Sequence, residues 1–208
     1  MSNLPEPIRK LRYQRTFAMI KPDGVARGLT GEILKRFEVR GLKIVSMKMV
    51  RPTDKQIMEH YVASREEWIR GLGQKGVGTF HELHLDIKEH MGTDDELEIG
   101  KIVYQGLVEY MKSGPVIPMV IEGVQAVEMV RKLVGPTIPL KAELGTIRGD
   151  FSVDSTSIAN VEKRSIHNLI HASGNLEEAE YEIKVWFDDD EIFTYKRSDE
   201  DFMFEKYY

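Results

Sequence analysis

The strongest constraint on this chain is the order in which its apolar periodicity changes. A short apolar run gives way to a three-to-four-residue period and then to another apolar run, and this happens twice. In the first pass, Arg15–Lys21 reads as a strand that the turn cluster Pro22-Asp23-Gly24 stops. Thr30 is placed to N-cap a helix over Gly31–Arg40, where Ile33, Leu34 and Phe37 recur at helical spacing and Gly41 ends the run. Leu42–Arg51 follows as a strand. In the second pass, Pro115–Glu122 is a strand whose Pro118 suggests an edge or an irregular stretch. A helix over Val124–Val134 then shows a stripe of Val127, Val130 and Val134, closed by Gly135, before a short strand at Asn168–His171. This order predicts an α+β fold of the split, ferredoxin-like (βαββαβ) kind: an antiparallel sheet with helices on one face.

Two further helices frame that plan. Pro52-Thr53-Asp54 caps one near Lys55–Ala63, and Asn175 with Glu178 resembles a capping box opening another. The stripe of the latter is Leu176, Ala179, Ile183, Trp186 and Phe187. Two segments exceed what connections need: Ser64–Glu109, and the polar Ser152–His167. Neither shows an apolar core of its own. The 208 residues therefore read as a single domain, 1–208, with insertions at about 66–101 and 152–165 and a C-terminal extension at about 197–208.

Composition removes several classes of function. A net charge of −5 argues against general nucleic-acid binding, which needs a basic face, but leaves room for a single nucleotide. The absence of cysteine excludes disulfides, thiolate metal sites and a cysteine nucleophile. No run approaches the roughly 18 apolar residues of a membrane span, and Met1–Pro7 lacks a signal-peptide core. The expectation is a soluble, cytoplasmic protein.

The common phosphate-binding signatures, a P-loop or a kinase glycine-rich loop, are absent. Lys21 at a strand end, Arg131 in a last helical turn, and Arg148 within Thr146-Ile147-Arg148-Gly149-Asp150-Phe151 are each weak signals. His171 is stronger. It closes the apolar run Asn168-Leu169-Ile170-His171 just before a capped helix, where an imidazole meets an anion readily. An ordinary imidazole is largely neutral at pH 7 and attacks phosphorus without a separate base.

Together, Thr16–Gly24, Thr146–Phe151 and Asn168–Ser173 resemble the nucleoside diphosphate kinase family. Gly28–Ile33, His60-Tyr61, Ser113-Gly114-Pro115 and Glu178–Ile183 before Trp186-Phe187 extend the likeness, in order, over about residues 14–196. The resemblance implies transfer of the γ-phosphate of an NTP to an NDP by a ping-pong route through a phosphohistidine on His171. It implies that Glu182 orients the imidazole, with Ser173 in the same network and Lys21 in the catalytic set. Lys21, Tyr61, Arg131, Thr137 and Arg148 would surround the phosphates, and Lys21 and Asn168 would reach the ribose. Mg²⁺ would arrive bound to the nucleotide phosphates rather than in a protein cage, so no metal ligands are assigned. The expected partners are nucleoside di- and triphosphates and further copies of the chain, most simply a hexamer, without nucleic acid or membrane.

The chain also departs from the family. Gly174-Asn175 stands where an aspartate and a serine are usual, and Pro136 replaces a non-proline residue. Trp68, Val103 and Tyr104 compete to be the group that stacks on the base. These departures keep a second reading in view: a nucleotide-binding regulatory or scaffolding protein with weak or no transfer. A ferredoxin-like RNA binder lacks its basic face and paired aromatics. His81, His84 and His90 lack a third ligand at a recognisable interval, His167 reads as a loop histidine, and Asp188–Glu191 reads as a solvated loop. Glycines 71, 73, 76 and 78 suggest hinges in a lid at the base end of the cleft.

Overall fold

The computed structural model describes residues 5–62 and 65–204. Ala63 and Ser64, where one expected helix ends and the first long segment begins, lie outside them, as do Met1–Leu4 and residues 205–208 of the C-terminal extension. The chain opens with α1 (Glu6–Arg12), β1 (Gln14–Ile20), α2 (Pro22–Ala26), α3 (Thr30–Glu38), β2 (Lys43–Met47) and α4 (Asp54–His60). Then come α5 (Glu66–Glu82), α6 (Ile87–Met91), α7 (Glu96–Lys112), β3 (Ile117–Gly123) and α8 (Ala126–Val134). The last part holds α9 (Ile147–Phe151), α10 (Thr156–Val161), β4 (Ile170–Ala172), α11 (Leu176–Trp186) and α12 (Glu200–Phe204). The four strands form one antiparallel sheet in the order β2-β3-β1-β4, the ferredoxin-like arrangement.

Helices cover both faces of the sheet, not one. Ala18 and Ile20 of β1 pack with Ile33 and Phe37 of α3 and Val130 of α8. The alternate residues Phe17 and Met19 pack with Ile57 of α4, Met111 of α7 and Trp186. The unbroken apolar run Phe17-Ala18-Met19-Ile20 is what a strand buried on both sides requires.

Local chemistry accounts for the other departures. β3 is an inner strand despite Pro118. The Pro118 carbonyl accepts from the Lys48 N–H just past the end of β2, so its missing donor faces the point where that neighbour leaves the ladder. Pro22-Asp23-Gly24 stops β1 by starting α2, with Pro22 at its first turn. Thr30 is the first residue of α3 and not its cap, because Leu29, at the cap position, already has helical φ/ψ and offers no side-chain cap. Thr53 does cap α4, in a full capping box with Gln56. Leu176 is exposed, unlike the rest of its expected stripe.

The first long segment does have an apolar core. Phe80, Ile87, Met91 and Ile99 are buried together, joined by Val77, Ile102 and Val103. Its four glycines lie inside the single helix α5, so they are not hinges. Gly73 and, on α7, Gly100 let the two helices touch backbone to backbone. A Cβ at Gly73 would stand 1.7 Å from the Glu96 carbonyl oxygen, and one at Gly100 2.0 Å from that of Ile69. Gly73→Ala is therefore expected to cost about 2–3 kcal/mol through overpacking. Gly71→Ala, where a methyl meets open space, should stabilise by up to about 1 kcal/mol. Urea melts of the two variants check the contrast, and equal midpoints would refute the packing role.

Candidate active site

The site forms where β1 and β4 end side by side, with Met19 paired to His171. Lys21 leaves β1 with its N–H donated to the Leu169 carbonyl, and its buried Nζ donates to Asn168 Oδ1 at 2.8 Å. Asp23, read from the sequence only as a turn residue, ties three segments together. Its Oδ1 accepts from the Tyr110 hydroxyl of α7 at 2.5 Å and from the Gly24 N–H, and its Oδ2 accepts from the Leu169 N–H at 3.1 Å. Leu169 is held at φ +67, a left-handed conformation rare outside glycine. A Cβ at Gly24 would lie 2.9 Å from the Leu169 carbonyl, so only glycine admits this approach. The loop that delivers His171 is thus pinned on either side of its kink.

His171 presents Nε2 to Glu182 Oε1 at 2.8 Å, while Glu182 Oε2 accepts from the Ser173 hydroxyl at 2.5 Å. A carboxylate accepting at Nε2 selects the Nε2–H tautomer and leaves the lone pair on Nδ1. Burial, reinforced by the Lys21 and Arg148 cations, pushes the imidazole down to about 3, so the ring is neutral at physiological pH. Burial raises Glu182, opposed by His60 and by the Ser173 hydrogen bond. Lys21 is pushed down to about 7, again by burial first and by Arg148 second. Its charge is therefore sensitive to any anion that arrives.

Arg148 is buried and arranged by the backbone. Nε donates to the Asn168 carbonyl at 3.1 Å, Nη1 to Gly135 at 2.8 Å, and Nη2 to Ile170 at 2.5 Å. Three of its five N–H groups are engaged and two remain for a ligand. Asn168 Nδ2 donates to the Thr137 carbonyl at 2.9 Å, so Thr137 enters through its backbone while its side chain stays exposed. Arg131 is exposed at the end of α8, near enough for its charge to act on His171.

His60, which the sequence offered as part of the family likeness without a role, belongs to the site. It is buried, its ring meets that of His171 edge-on at 4.5 Å, and Trp186 Nε1 donates to its Nδ1 at 3.4 Å. Burial pushes it down to about 3. Tyr61 sits 4.6 Å from it between ring centroids and stacks on Trp68, which in turn meets Tyr104 edge-on. Nitrogens of His60 and His171 and a Glu182 oxygen lie within 4.8 Å of one another, the one such cluster among the described residues with metal-ligand spacing. The His171–Glu182 hydrogen bond already occupies it.

The fold and the site define an α+β protein with cations gathered around two touching, neutral histidines. The family model for nucleoside diphosphate kinase matches residues 14–69 and 87–192, leaving out most of α5 and the turn after it. A nucleoside diphosphate kinase of Pyrobaculum aerophilum is 51% identical over 179 residues, covering 86% of this chain and 97% of the relative. The crystal structure of an NDP kinase from that organism superposes with a TM-score of 0.83 at 48% identity, over 88% of this chain and 100% of that one. The Borrelia burgdorferi nucleoside-diphosphate kinase, solved as a transition-state mimic with bound vanadate and ADP, gives 0.73 at 38% identity, over 92% and 96%. This chain belongs to the nucleoside diphosphate kinase family.

Proposed function

We propose that the protein is a working nucleoside diphosphate kinase whose phosphate carrier is Nδ1 of His171. The observation that carries this reading is the 2.8 Å contact between Nε2 and Glu182, which leaves a neutral, unprotonated Nδ1 among cations. Nδ1 attacks the γ-phosphorus of an NTP, an N–P bond forms, and the bond to the β,γ-bridging oxygen breaks to release NDP. A terminal oxygen of a second NDP then attacks the phosphohistidine, the N–P bond breaks, and the imidazole regains its lone pair. Such transfer needs in-line positioning and charge stabilisation more than acid–base work. Lys21, Tyr61, Arg131, Arg148 and Thr137 surround the phosphates, Lys21 and Asn168 reach the ribose hydroxyls, and Ser173 steadies Glu182. We read Mg²⁺ as carried by the nucleotide phosphates, and His171 and Glu182 of the cluster found among the described residues are hydrogen-bonded to each other. It neutralises phosphate charge when bound. A coupled assay should give dTTP from ATP and dTDP with Mg²⁺ and lose turnover when the metal is chelated. Nucleotide binding without transfer would favour the regulatory reading.

We read residues 1–208 as one domain, with 66–101 and 152–165 as insertions and 197–208 as an extension. No helix among the described residues is long and apolar enough to cross a membrane, and we place the protein in the cytoplasm with its nucleotide substrates. We further propose a closed hexamer under the symmetry that soluble oligomers favour. Light scattering should then report about 143 kDa, six times the chain mass of 23.9 kDa. A monomer at micromolar concentration would contradict it.

A further inference from the structure

Glu182 Oε1 stands between two imidazoles. It lies 2.8 Å from Nε2 of His171 and 3.6 Å from Nδ1 of His60, and the two rings meet edge-on at 4.5 Å between centroids. The two contacts differ in kind. Nε2 of His171 points a proton at the carboxylate, whereas Nδ1 of His60 accepts from Trp186 Nε1 at 3.4 Å. The proton of the His60 ring is therefore on Nε2, which is buried without a hydrogen-bond partner. Its Nδ1 and the carboxylate oxygen are two acceptors set against each other away from water. Such a pair repels, and a cation between the two relieves it.

Tetrahedral zinc bonds of about 2.0–2.1 Å keep donor atoms about 3.3 Å apart, and the separations of 2.8 and 3.6 Å fall on either side of that value. Two imidazoles and one carboxylate are a donor set that zinc uses, with water as a fourth ligand. Imidazole suits transition metals of this kind, while Mg²⁺ prefers oxygens. The three residues come from α4, β4 and α11, so the fold and not one loop sets their spacing. Ser173 donates to the other oxygen of Glu182 at 2.5 Å, the sort of outer contact that orients a ligating carboxylate. His60 and Glu182 are buried and His171 is partly exposed, which gives a metal its way in.

We propose that His60, His171 and Glu182 bind a divalent transition metal, with Zn²⁺ as the type, and that the bound metal switches phosphate transfer off. The switch is a change of tautomer. His171 ligates through Nε2, whose proton moves by way of water to Nδ1, so the ring stays neutral. Nδ1 then lacks the lone pair with which it attacks phosphorus. The effect on transfer rests on Nδ1 of His171 as the phosphate carrier; the binding of metal does not.

Nucleotide-free protein titrated with Co²⁺ should develop the visible bands of a four-coordinate site, saturating at one metal per chain, and Zn²⁺ should bleach them. His60→Gln and His171→Gln should each weaken binding by at least about 100-fold, the upper range for losing even an outer-sphere partner. Ring ¹⁵N shifts of His171 should pass from the Nε2–H to the Nδ1–H pattern as Zn²⁺ is added. At a buffered free Zn²⁺ about ten times its dissociation constant, labelling of His171 by γ-labelled ATP with Mg²⁺ should slow about ten-fold, in line with the unmetallated fraction, and chelation of zinc should restore it. A wild-type protein without the cobalt bands would overturn the site. So would binding that survives both substitutions, which would put the metal on other histidines such as His81 and His84. If His60→Gln does not fold, His171→Gln alone decides. Full occupancy with undiminished labelling would overturn the switch. A protein that binds metal yet takes no label on His171 even in its absence would instead overturn the phosphohistidine reading.

Discussion

His171→Gln is expected to abolish phosphoenzyme formation and to lower kcat by at least about 10⁴-fold, the scale on which loss of a nucleophile is felt. Glutamine preserves an amide donor toward Glu182 and much of the ring's volume, so the loss should come without a change in melting temperature. In the wild type, γ-labelled ATP should leave phosphate that is labile to acid and stable to alkali, as a phosphoramidate requires. Label persisting in the variant would remove His171 from its role. Transfer of the label to Ser173 would do the same, although that hydroxyl is buried and already donates to Glu182.

Arg148→Ala should do two things at once. Loss of its free N–H groups removes charge-assisted contacts to the moving phosphoryl group, worth about 2–4 kcal/mol, or roughly 30- to 1,000-fold in kcat/KM. It also strands the buried carbonyl of Ile170 and takes a donor from those of Gly135 and Asn168, the latter still accepting from the Ile170 N–H. Buried acceptors left unpaired cost about 1–3 kcal/mol each before relaxation, so the melting temperature should fall as well. Arg131 is exposed, and Arg131→Ala should lower activity while leaving the melt unchanged. If Arg148→Ala retains wild-type kcat/KM for several NDPs, the cationic clamp lies elsewhere.

Much of this was legible from spacing because strand ends announce themselves. Pro22 marks where β1 delivers Lys21, and the cap at Asn175 marks where β4 has delivered His171. What stayed hidden depends on partners far away in sequence. His60 stands at the end of a short helix and looks solvated until Trp186 and Phe17 close around it. Asp23 looks like any turn aspartate until Tyr110 and Leu169 arrive. The glycines of α5 look like hinges because a stripe of small residues reads alike in a linker and in a close helix contact. Only the facing Gly100 separates the two meanings. The second helical layer was missed although the run from Phe17 to Ile20 contains it, since an apolar run by itself does not say how many of its sides are covered.

The triple tie at Asp23 also bears on how the chain acquires its competence. Its partners lie 87 and 146 residues further along, so the knot closes only after both have been brought back to the end of β1. Contacts of such separation are slow to form, because loop-closure entropy is spent before they reward it. A chain without this tie lacks the restraint that bends Leu169 and aims His171. Chemical competence therefore depends on three widely separated stretches of the chain meeting at one aspartate.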